Sequence, residues 1–313
     1  MILSQQLKNF SIYTDKKLLV IMLLGFSSGL PLLLTLSTLS VWLVEIGITK
    51  TTIGFFALVG LPYSLKFLWA PFMDNLKIPF FTNYLGRRRS WIILTQILLI
   101  SSLIFLGYSN PSVDLRLTVL AAVLVAFFSA SQDIVIDAFR VESLEKELYG
   151  AGAGMYVFGY RIGMLVAGAG ALYLATFYEW SIVYILMSLL ILIGSFAILF
   201  ASEPEQNSLI DTQKKKNIFH WFNDSVINPF RDFMKKGNWK IIILFVVLYK
   251  FGDALVSVMA NPFYLEMEFS KIEIANVSKF FGFIATVTGA LIGGVFVKQS
   301  GIFKSLLACG ILQ

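Results

Sequence analysis

Two acidic residues lie inside one of the long apolar stretches of the sequence, where a charge is costly. Asp133 and Asp137 are four residues apart and therefore share one face of a helix, with Arg140 about a turn further along. Each ionisable group at membrane depth costs about 2.5 kcal/mol or more on insertion scales. We therefore expect the two carboxylates to line a water-filled cavity, where they take up and release a proton.

Other ionisable side chains lie in further apolar stretches at similar depth. Lys66, Arg161, Lys250 and Asp253 are expected to face the same cavity, where the cations hold an anionic substrate. The alternative is a set of fixed ion pairs that only hold helices together. These pairs would join Asp133 to Lys66 or Arg161, and Asp253 to Lys250. Residue types and spacing leave both explanations open.

The composition excludes several other kinds of chemistry. One His (His220) and one Cys (Cys309) cannot build a His metal cluster, an internal disulfide or a Cys-bound zinc site. We expect no metal, no cofactor, no catalytic residue and no nucleic-acid partner. One enzymatic alternative is an intramembrane aspartyl protease using Asp133 and Asp253. Those enzymes carry Gly-x-Gly-Asp, whereas this chain has Lys-Phe-Gly-Asp at residues 250–253.

Composition and long apolar segments indicate that these residues lie on membrane-spanning helices. Hydrophobic residues make up 57% of the 313-residue chain and charged residues 14%, against about 25% charged residues in a soluble domain. A helix needs about 20 apolar residues to cross the hydrocarbon core. Eight segments meet this need and a ninth begins near Ile302: 18–44, 51–73, 91–110, 117–139, 151–178, 180–202, 241–265 and 280–297. The sequence predicts an all-α integral membrane protein.

The distribution of positive charge predicts how these segments are oriented. Most of the 25 Lys and Arg residues lie in the N-terminus and in alternate loops, which the positive-inside rule assigns to the cytoplasm. The other loops hold only Lys50, Arg116, Lys271 and Lys279. We expect a cytoplasmic N-terminus, with membrane lipid around the apolar helices.

One long polar segment, residues 203–238, separates the first six apolar segments from the rest. Its run of three lysines, residues 214–216, is expected to be solvated positive charge on the cytoplasmic side, with binding of lipid headgroups as the alternative. Aromatic residues in this segment could form a short helix at the membrane surface: His220, Trp221, Phe222 and Phe230.

The end of the first apolar segment is repeated in the seventh. Residues 42–50 (WLVEIGITK) align with residues 263–271 (FYLEMEFSK). Six helices, a cytoplasmic linker and the same beginning again match the parallel repeat of major facilitator superfamily transporters. We expect an N-terminal six-helix half (1–202), a linker (203–238) and an incomplete C-terminal half (239–313). A second six-helix half would need about 110 further residues, so we expect a truncated chain.

Glycines recur at close spacing in the first and fifth segments. Gly25 and Gly29 are four residues apart, as are Gly159 and Gly163. Because small residues at this spacing let helix backbones approach closely, we expect tight helix packing here and no phosphate site.

A basic cluster follows the second apolar segment. Asp74 is followed, after an inserted stretch, by Gly86, Arg87, Arg88 and Arg89. In facilitator transporters an Asp at this helix end and a Gly-Arg-Arg cluster form a cytoplasmic latch between the halves. The alternative is ordinary positive charge on the cytoplasmic side.

Five motifs together resemble the AmpG muropeptide permease family of the major facilitator superfamily. They are GFSSGLP (25–31), LPYSLKFLWAP (61–71), GRRR (86–89), QDIVIDA (132–138) and GYRIGML (159–165). The match is dense over residues 20–203 and thinner afterwards. The resemblance implies a bundle of two six-helix halves in a Gram-negative inner membrane.

The resemblance also implies a function: proton-coupled import of N-acetylglucosaminyl-anhydromuramyl peptides from periplasm to cytoplasm for cell-wall recycling. The important carboxylates of the family fall on Asp133 and Asp137. Such cargo carries several carboxylates and a pair of sugars, which cations and aromatic side chains could hold: Lys66, Arg161, Lys250, Tyr63, Trp69 and Tyr160. The cytoplasmic latch would consist of Asp74, Gly86, Arg87 and Arg88. Acetyl-CoA or another organic anion is the alternative cargo, and a non-functional truncated copy is a further alternative.

Overall fold

The described part of the chain is helical. The computed structural model describes residues 14–79, 81–145, 148–204, 223, 227–235, 237–285, 304, 307, 308 and 310, and within them no residue belongs to a strand. In the described part of the chain, six helices are long and apolar enough to cross a membrane: α1 (Lys16–Glu45), α2 (Lys50–Leu68), α3 (Arg87–Tyr108), α4 (Leu115–Ser143), α5 (Tyr149–Leu174) and α6 (Trp180–Leu199). The predicted all-α membrane class is confirmed.

Two further helices follow the polar segment. Helix α7 (Trp239–Glu266) has 28 residues, a length sufficient to cross a bilayer. Helix α8 begins as Lys271–Glu273 and continues as a π-helix over Ile274–Phe281. Short helices lie between the long ones: Ala70–Asn75, Phe81–Leu85 and Asn228–Met234.

Several of the long helices depart from regular α geometry. In α1 the pieces Lys16–Thr35 and Ser37–Glu45 meet at Leu36. Pro31 precedes this break and has no backbone N–H to donate. Helix α2 includes two 3₁₀ turns, Phe56–Gly60 and Lys66–Leu68. Helix α5 includes a π-helical segment, Val166–Gly170.

Helices α1 and α5 make the closest backbone contact in the bundle. A Cβ atom at Gly25 or Gly29 would overlap the backbone carbonyl of Tyr156 or Tyr160, respectively. Glycines on α5 are placed in the same way against α1: Gly159 faces the Met22 carbonyl and Gly163 the Phe26 carbonyl. The prediction that these glycines serve tight helix packing is confirmed.

The sequence repeat is also a repeat of backbone structure at the ends of α1 and α7. The Gly47 amide donates to the Val44 carbonyl at 2.9 Å, and the equivalent Glu268 amide donates to the Leu265 carbonyl at 3.1 Å. Both helix ends are closed by a residue with positive φ, +80° at Gly47 and +64° at Glu268. Glycine adopts this conformation freely, whereas Glu268 is strained by its Cβ.

The helix that follows each copy starts with the same kind of cap. The Thr49 side chain accepts a hydrogen bond from the Thr52 amide, and the Ser270 side chain accepts one from the Glu273 amide. At Ser270 the cap is reciprocal, because the Glu273 carboxylate accepts from the Ser270 amide at 2.8 Å.

Two sequence predictions are changed by these boundaries. The eighth helix was predicted from residue 280, but it starts at Lys271. The capping residues begin this helix in a polar stretch that average hydropathy does not detect. The second segment, predicted over 51–73, ends at Leu68, and Ala70–Asn75 is a separate short helix. Of the proposed interfacial aromatic residues, Phe230 belongs to the helix Asn228–Met234; residues 214–216 and 220–222 lie outside the described residues, as does most of the ninth segment.

Candidate functional site

Asp133 is buried in the middle of the six-helix group. Its exposure is 8%, and its neighbour Gln132 is fully buried. Its charge interacts with Lys66 and Asp137, while Ser28 and Tyr156 are its polar neighbours. Among the described residues, no Lys or Arg nitrogen lies within the 4.0 Å of an ion pair with this carboxylate. A buried carboxylate without such a partner is costly to keep ionised, which suits a group that gains and loses a proton.

Asp137 has different surroundings, although it shares the helix face as predicted. Its side chain is 44% exposed and forms an ion pair with Arg140 at 3.0 Å. The Arg140 guanidinium lies 5.5 Å from the centre of the Tyr156 ring. Asp137 is therefore held at the edge of the site by a cation that is itself fixed against an aromatic ring.

Lys66 and Arg161 are half-buried cations around this site: Lys66 interacts with Asp133, and Arg161 interacts with Tyr160, which is itself next to Asp133. Neither cation forms an ion pair with a carboxylate among the described residues, where Arg161 donates a hydrogen bond to the Met164 sulfur at 3.8 Å. The alternative of a fixed ion pair between Asp133 and either cation is therefore not observed in the described part of the chain. Both cations are available to an anionic ligand.

Aromatic and hydroxyl groups complete the surroundings of Asp133. Tyr63 lies beside Ser129 and Asp133, and the hydroxyls of Tyr63 and Ser129 are buried without a hydrogen-bond partner. Tyr160 packs against Tyr156 with ring centres 6.1 Å apart. Buried polar groups normally have hydrogen-bond partners. Because these two hydroxyls have none among the described residues, they are candidates to bind polar groups of a ligand.

Trp69 adds an aromatic surface next to this site. Its indole Nε1 donates to the Ser131 hydroxyl at 3.0 Å, and its ring packs against Phe127 with centres 4.8 Å apart. The structure thus places Tyr63, Lys66 and Trp69 of α2 and its following turn along α4. Lys250 and Asp253 belong to α7, but their side chains lie outside the described residues.

The predicted latch residues meet at the start of α3, next to the end of α4. Asp74 forms an ion pair with Arg88 at 2.6 Å, and Arg88 also binds Glu142 through two nitrogens at 2.6 and 2.9 Å. Arg87 donates to the Asp74 carbonyl at 2.7 Å. Arg88 is 5% exposed, so it is not an ordinary surface charge. Sequence reasoning missed Glu142, which lies beyond the predicted apolar segment 117–139 but within α4.

A second missed carboxylate, Glu203, closes the start of α3. It accepts hydrogen bonds from the amides of Arg88 and Arg89 at 2.8 and 3.1 Å. This is an N-terminal helix cap supplied by a residue far away in sequence. Gly86 has a φ of +88°, and a Cβ at this position would overlap the Glu203 side chain. No local pattern could have indicated this cap.

Among the described residues, the buried carboxylate and the neighbouring cations of this helical bundle form no ion pair with one another, and comparisons with known proteins define the class of protein. Residues 15–313 match the family model of the Major Facilitator Superfamily, and the chain belongs to that superfamily. It also resembles a crystal structure of a D-xylose–proton symporter, with a TM-score of 0.63, 12% identity, and coverage of 92% of this chain and 70% of that one. That likeness concerns the fold alone.

Curated relatives give the particular family. Putative transporter AmpG 4 of Rickettsia conorii is 40% identical over 307 residues, covering 96% of this chain and 72% of the relative. The anhydromuropeptide permease of Escherichia coli K12 is 41% identical over 304 residues, covering 96% of this chain and 60% of the permease. Within the superfamily the chain belongs to the AmpG family of multi-pass membrane transporters.

Proposed function

We propose that this chain is a proton-coupled importer of anhydro-muropeptides, moving them from periplasm to cytoplasm across the bacterial inner membrane. The observation that carries the proposal is the 41% identity to the E. coli anhydromuropeptide permease over 96% of the chain. The cargo has several carboxylates and a pair of sugars. Lys66 and Arg161, which form no ion pair among the described residues, suit the carboxylates, and Tyr160 and Trp69 offer aromatic surfaces to the sugars.

We further propose that Asp133 is the main proton carrier and that Asp137 assists it from the edge of the site. The support is the contrast in their surroundings, since Asp133 is buried and Asp137 is half-exposed beside Arg140. A proton on Asp133 removes the cost of a buried charge, whereas its loss restores a negative charge near Lys66. We also assign Lys250 and Asp253 of α7 to cargo binding.

The proposed organisation is an N-terminal half (1–202), a linker (203–238) and a C-terminal half (239–313). The repeated segments 42–50 and 263–271, which we call the two corners, support it. The same backbone turn occurs in both, at the end of α1 and at the end of α7. The N-terminus is cytoplasmic in this proposal, as the positive-inside distribution requires, and lipid surrounds the helices. The cytoplasmic latch of Asp74, Gly86, Arg87 and Arg88 then lies on the inner side.

Uptake by reconstituted vesicles tests the cargo and the coupling. The purified chain is placed in proteoliposomes, and uptake of labelled anhydro-muropeptide is compared with uptake of labelled acetyl-CoA, each with and without an inward proton gradient. We expect gradient-driven uptake of the muropeptide. Uptake of acetyl-CoA alone would assign a different organic anion, and the absence of uptake for both would contradict an active transporter.

A further inference from the structure

The repeated corners face one another and exchange ion pairs. Each corner contributes one acid and one base at equivalent positions, Glu45 and Lys50 in the first and Glu266 and Lys271 in the second. Lys50 binds Glu266, and Lys271 binds Glu45 at 2.8 Å. Two equivalent surfaces therefore make the same contact twice in opposite directions, as an isologous interface does.

The two ion pairs differ in their surroundings. The side chains of Lys50 and Glu266 are 59% and 56% exposed, whereas those of Lys271 and Glu45 are 19% and 31% exposed. Lys271 also donates to the Ala175 carbonyl at 2.5 Å. Because an exposed ion pair is weakened by solvent, whereas a partly buried pair with a further charged hydrogen bond is not weakened to the same extent, the Lys271 pair is the stronger one.

Trp180, at the start of α6, joins this stronger pair. Its indole Nε1 donates to the second oxygen of Glu45 at 2.7 Å, and Lys271 lies 5.6 Å from the centre of its ring. The same ring stacks on Trp42 of α1, with centres 5.8 Å apart. Glu45 thus has both oxygens occupied, and the ends of α1, α6 and α8 meet at one point.

Contacts below the ion pairs close the same end of the bundle. Asn261 of α7 is buried and donates to the Ser37 carbonyl of α1 at 2.6 Å. Ala275 of α8 is fully buried in the cluster that includes Trp42 and Trp180. Among the described residues, the two ion pairs supply the charged contacts of this closure, and the Asn261–Ser37 hydrogen bond adds a buried polar contact.

We propose that Glu45, Lys50, Glu266 and Lys271 form an outer latch that holds the periplasmic end of the transporter closed. The proposal rests on the proposed transport function, in which this end must open to admit cargo. Since the two pairs are related by the repeat, separating the corners breaks both together. The Glu45–Lys271 pair dominates the latch, and the exposed Lys50–Glu266 pair adds little.

Cysteine accessibility tests the latch without any cargo. In a Cys309→Ser background, Ala275→Cys places a reporter below the ion pairs, and a membrane-impermeant maleimide is added from the periplasmic side of intact membranes. We expect slow labelling in the parent and labelling that is faster by about tenfold or more after Lys271→Gln, since a charged hydrogen-bond network is lost. Lys50→Gln, the matched control, should change the rate by less than about fivefold.

Two further variants separate loss of the latch from misfolding. Lys271→Arg keeps the charge and the contact with the Trp180 ring, so it should keep the slow labelling of the parent. The Glu45→Gln/Lys271→Gln double variant should label no faster than the faster single variant, because both substitutions break one interaction. Unchanged labelling after Lys271→Gln, or equal effects of Lys271→Gln and Lys50→Gln, would overturn the proposal. The readout does not depend on uptake, so a chain that responds in this assay but moves no muropeptide would contradict the proposed function and leave the latch intact.

Discussion

Asp133 and Asp137 show how two identical side chains on one helix face acquire different properties. Asp133 is buried without an ion-pair partner among the described residues, whereas Asp137 is half-exposed and bound to Arg140. We expect that neutralising Asp133 removes a costly buried charge without unfolding the protein, but it also removes the group that would carry the proton. The functional and structural effects of a substitution at Asp133 are therefore separable.

We predict that Asp133→Asn reduces muropeptide uptake by at least about tenfold while the protein still inserts and accumulates, because a buried acid at this depth is retained for function. Uptake and membrane abundance are measured in the same vesicles. The matched control is Asp232→Asn, in the exposed short helix Asn228–Met234. Lys235, at 2.8 Å, lowers the pKa of Asp232, so this carboxylate stays ionised throughout the assay. Normal uptake by Asp133→Asn would contradict the proton-carrier role.

The packing of α1 on α5 depends on the absence of side chains at a few positions. Gly159 and Gly154 lie in the same helix, yet a Cβ at Gly159 would overlap the Met22 carbonyl and one at Gly154 meets nothing within 4 Å. Only the first of these glycines is required by the contact between the two helices. The fifth segment therefore combines essential and dispensable glycines.

We predict that Gly159→Ala lowers the stability of the protein by about 1–3 kcal/mol, the usual cost of overpacking, because the α1 backbone must move away. Thermal unfolding in detergent, monitored by near-UV circular dichroism, measures the effect. Gly154→Ala should leave the unfolding temperature unchanged or raise it slightly, since alanine favours the helix. Equal unfolding temperatures for the two variants would show that the α1–α5 contact is looser than the structure indicates.

The strained end of α7 predicts a substitution that raises stability instead of lowering it. Glu268 has a φ of +64° where the equivalent residue of the first corner is Gly47, and a left-handed conformation costs a non-glycine residue roughly 1–2 kcal/mol. We predict that Glu268→Gly raises the unfolding temperature. Gly47→Ala, its counterpart, should lower it by a similar free energy, because open space surrounds Gly47 and only the backbone conformation is penalised.

The sequence was a good guide to the helices and a poorer guide to their ends. Apolar segments of sufficient length predict α1 to α7 because each helix must satisfy its own backbone within lipid. The start of α8 was missed because Ser270 and Glu273 act through a local cap, and averaging over a long window hides two polar residues. The corner repeat was visible in the sequence because Glu and Lys recur at the same positions.

Contacts between distant residues could not be predicted in the same way. The burial of Asp133 and the pairing of Asp74 with Arg88 involve residues that the sequence had indicated. By contrast, Glu203 capping α3 and Trp180 binding Glu45 join residues more than a hundred positions apart. Such partners are set by the packing of the whole bundle, and one sequence carries no local pattern for them.

The orientation of the whole molecule in the membrane can be tested with two exposed positions. Val113, between α3 and α4, is 83% exposed and Tyr84, between α2 and α3, is 88% exposed. In a Cys309→Ser background, we predict that Val113→Cys reacts with an impermeant maleimide from the periplasmic side, and Tyr84→Cys only after the membrane is permeabilised. The reverse result would invert the positive-inside assignment.

Glu203 is the first residue of the polar segment 203–238, and its carboxylate has a consequence for that segment. The Glu203 side chain accepts hydrogen bonds from the first amides of α3, those of Arg88 and Arg89. The Arg88 side chain is itself ion-paired with Glu142. Glu203 therefore attaches the start of residues 203–238 to the first turn of α3 and to the arginine cluster that this turn carries. A substitution at Glu203 would release this attachment and uncap α3 in one step.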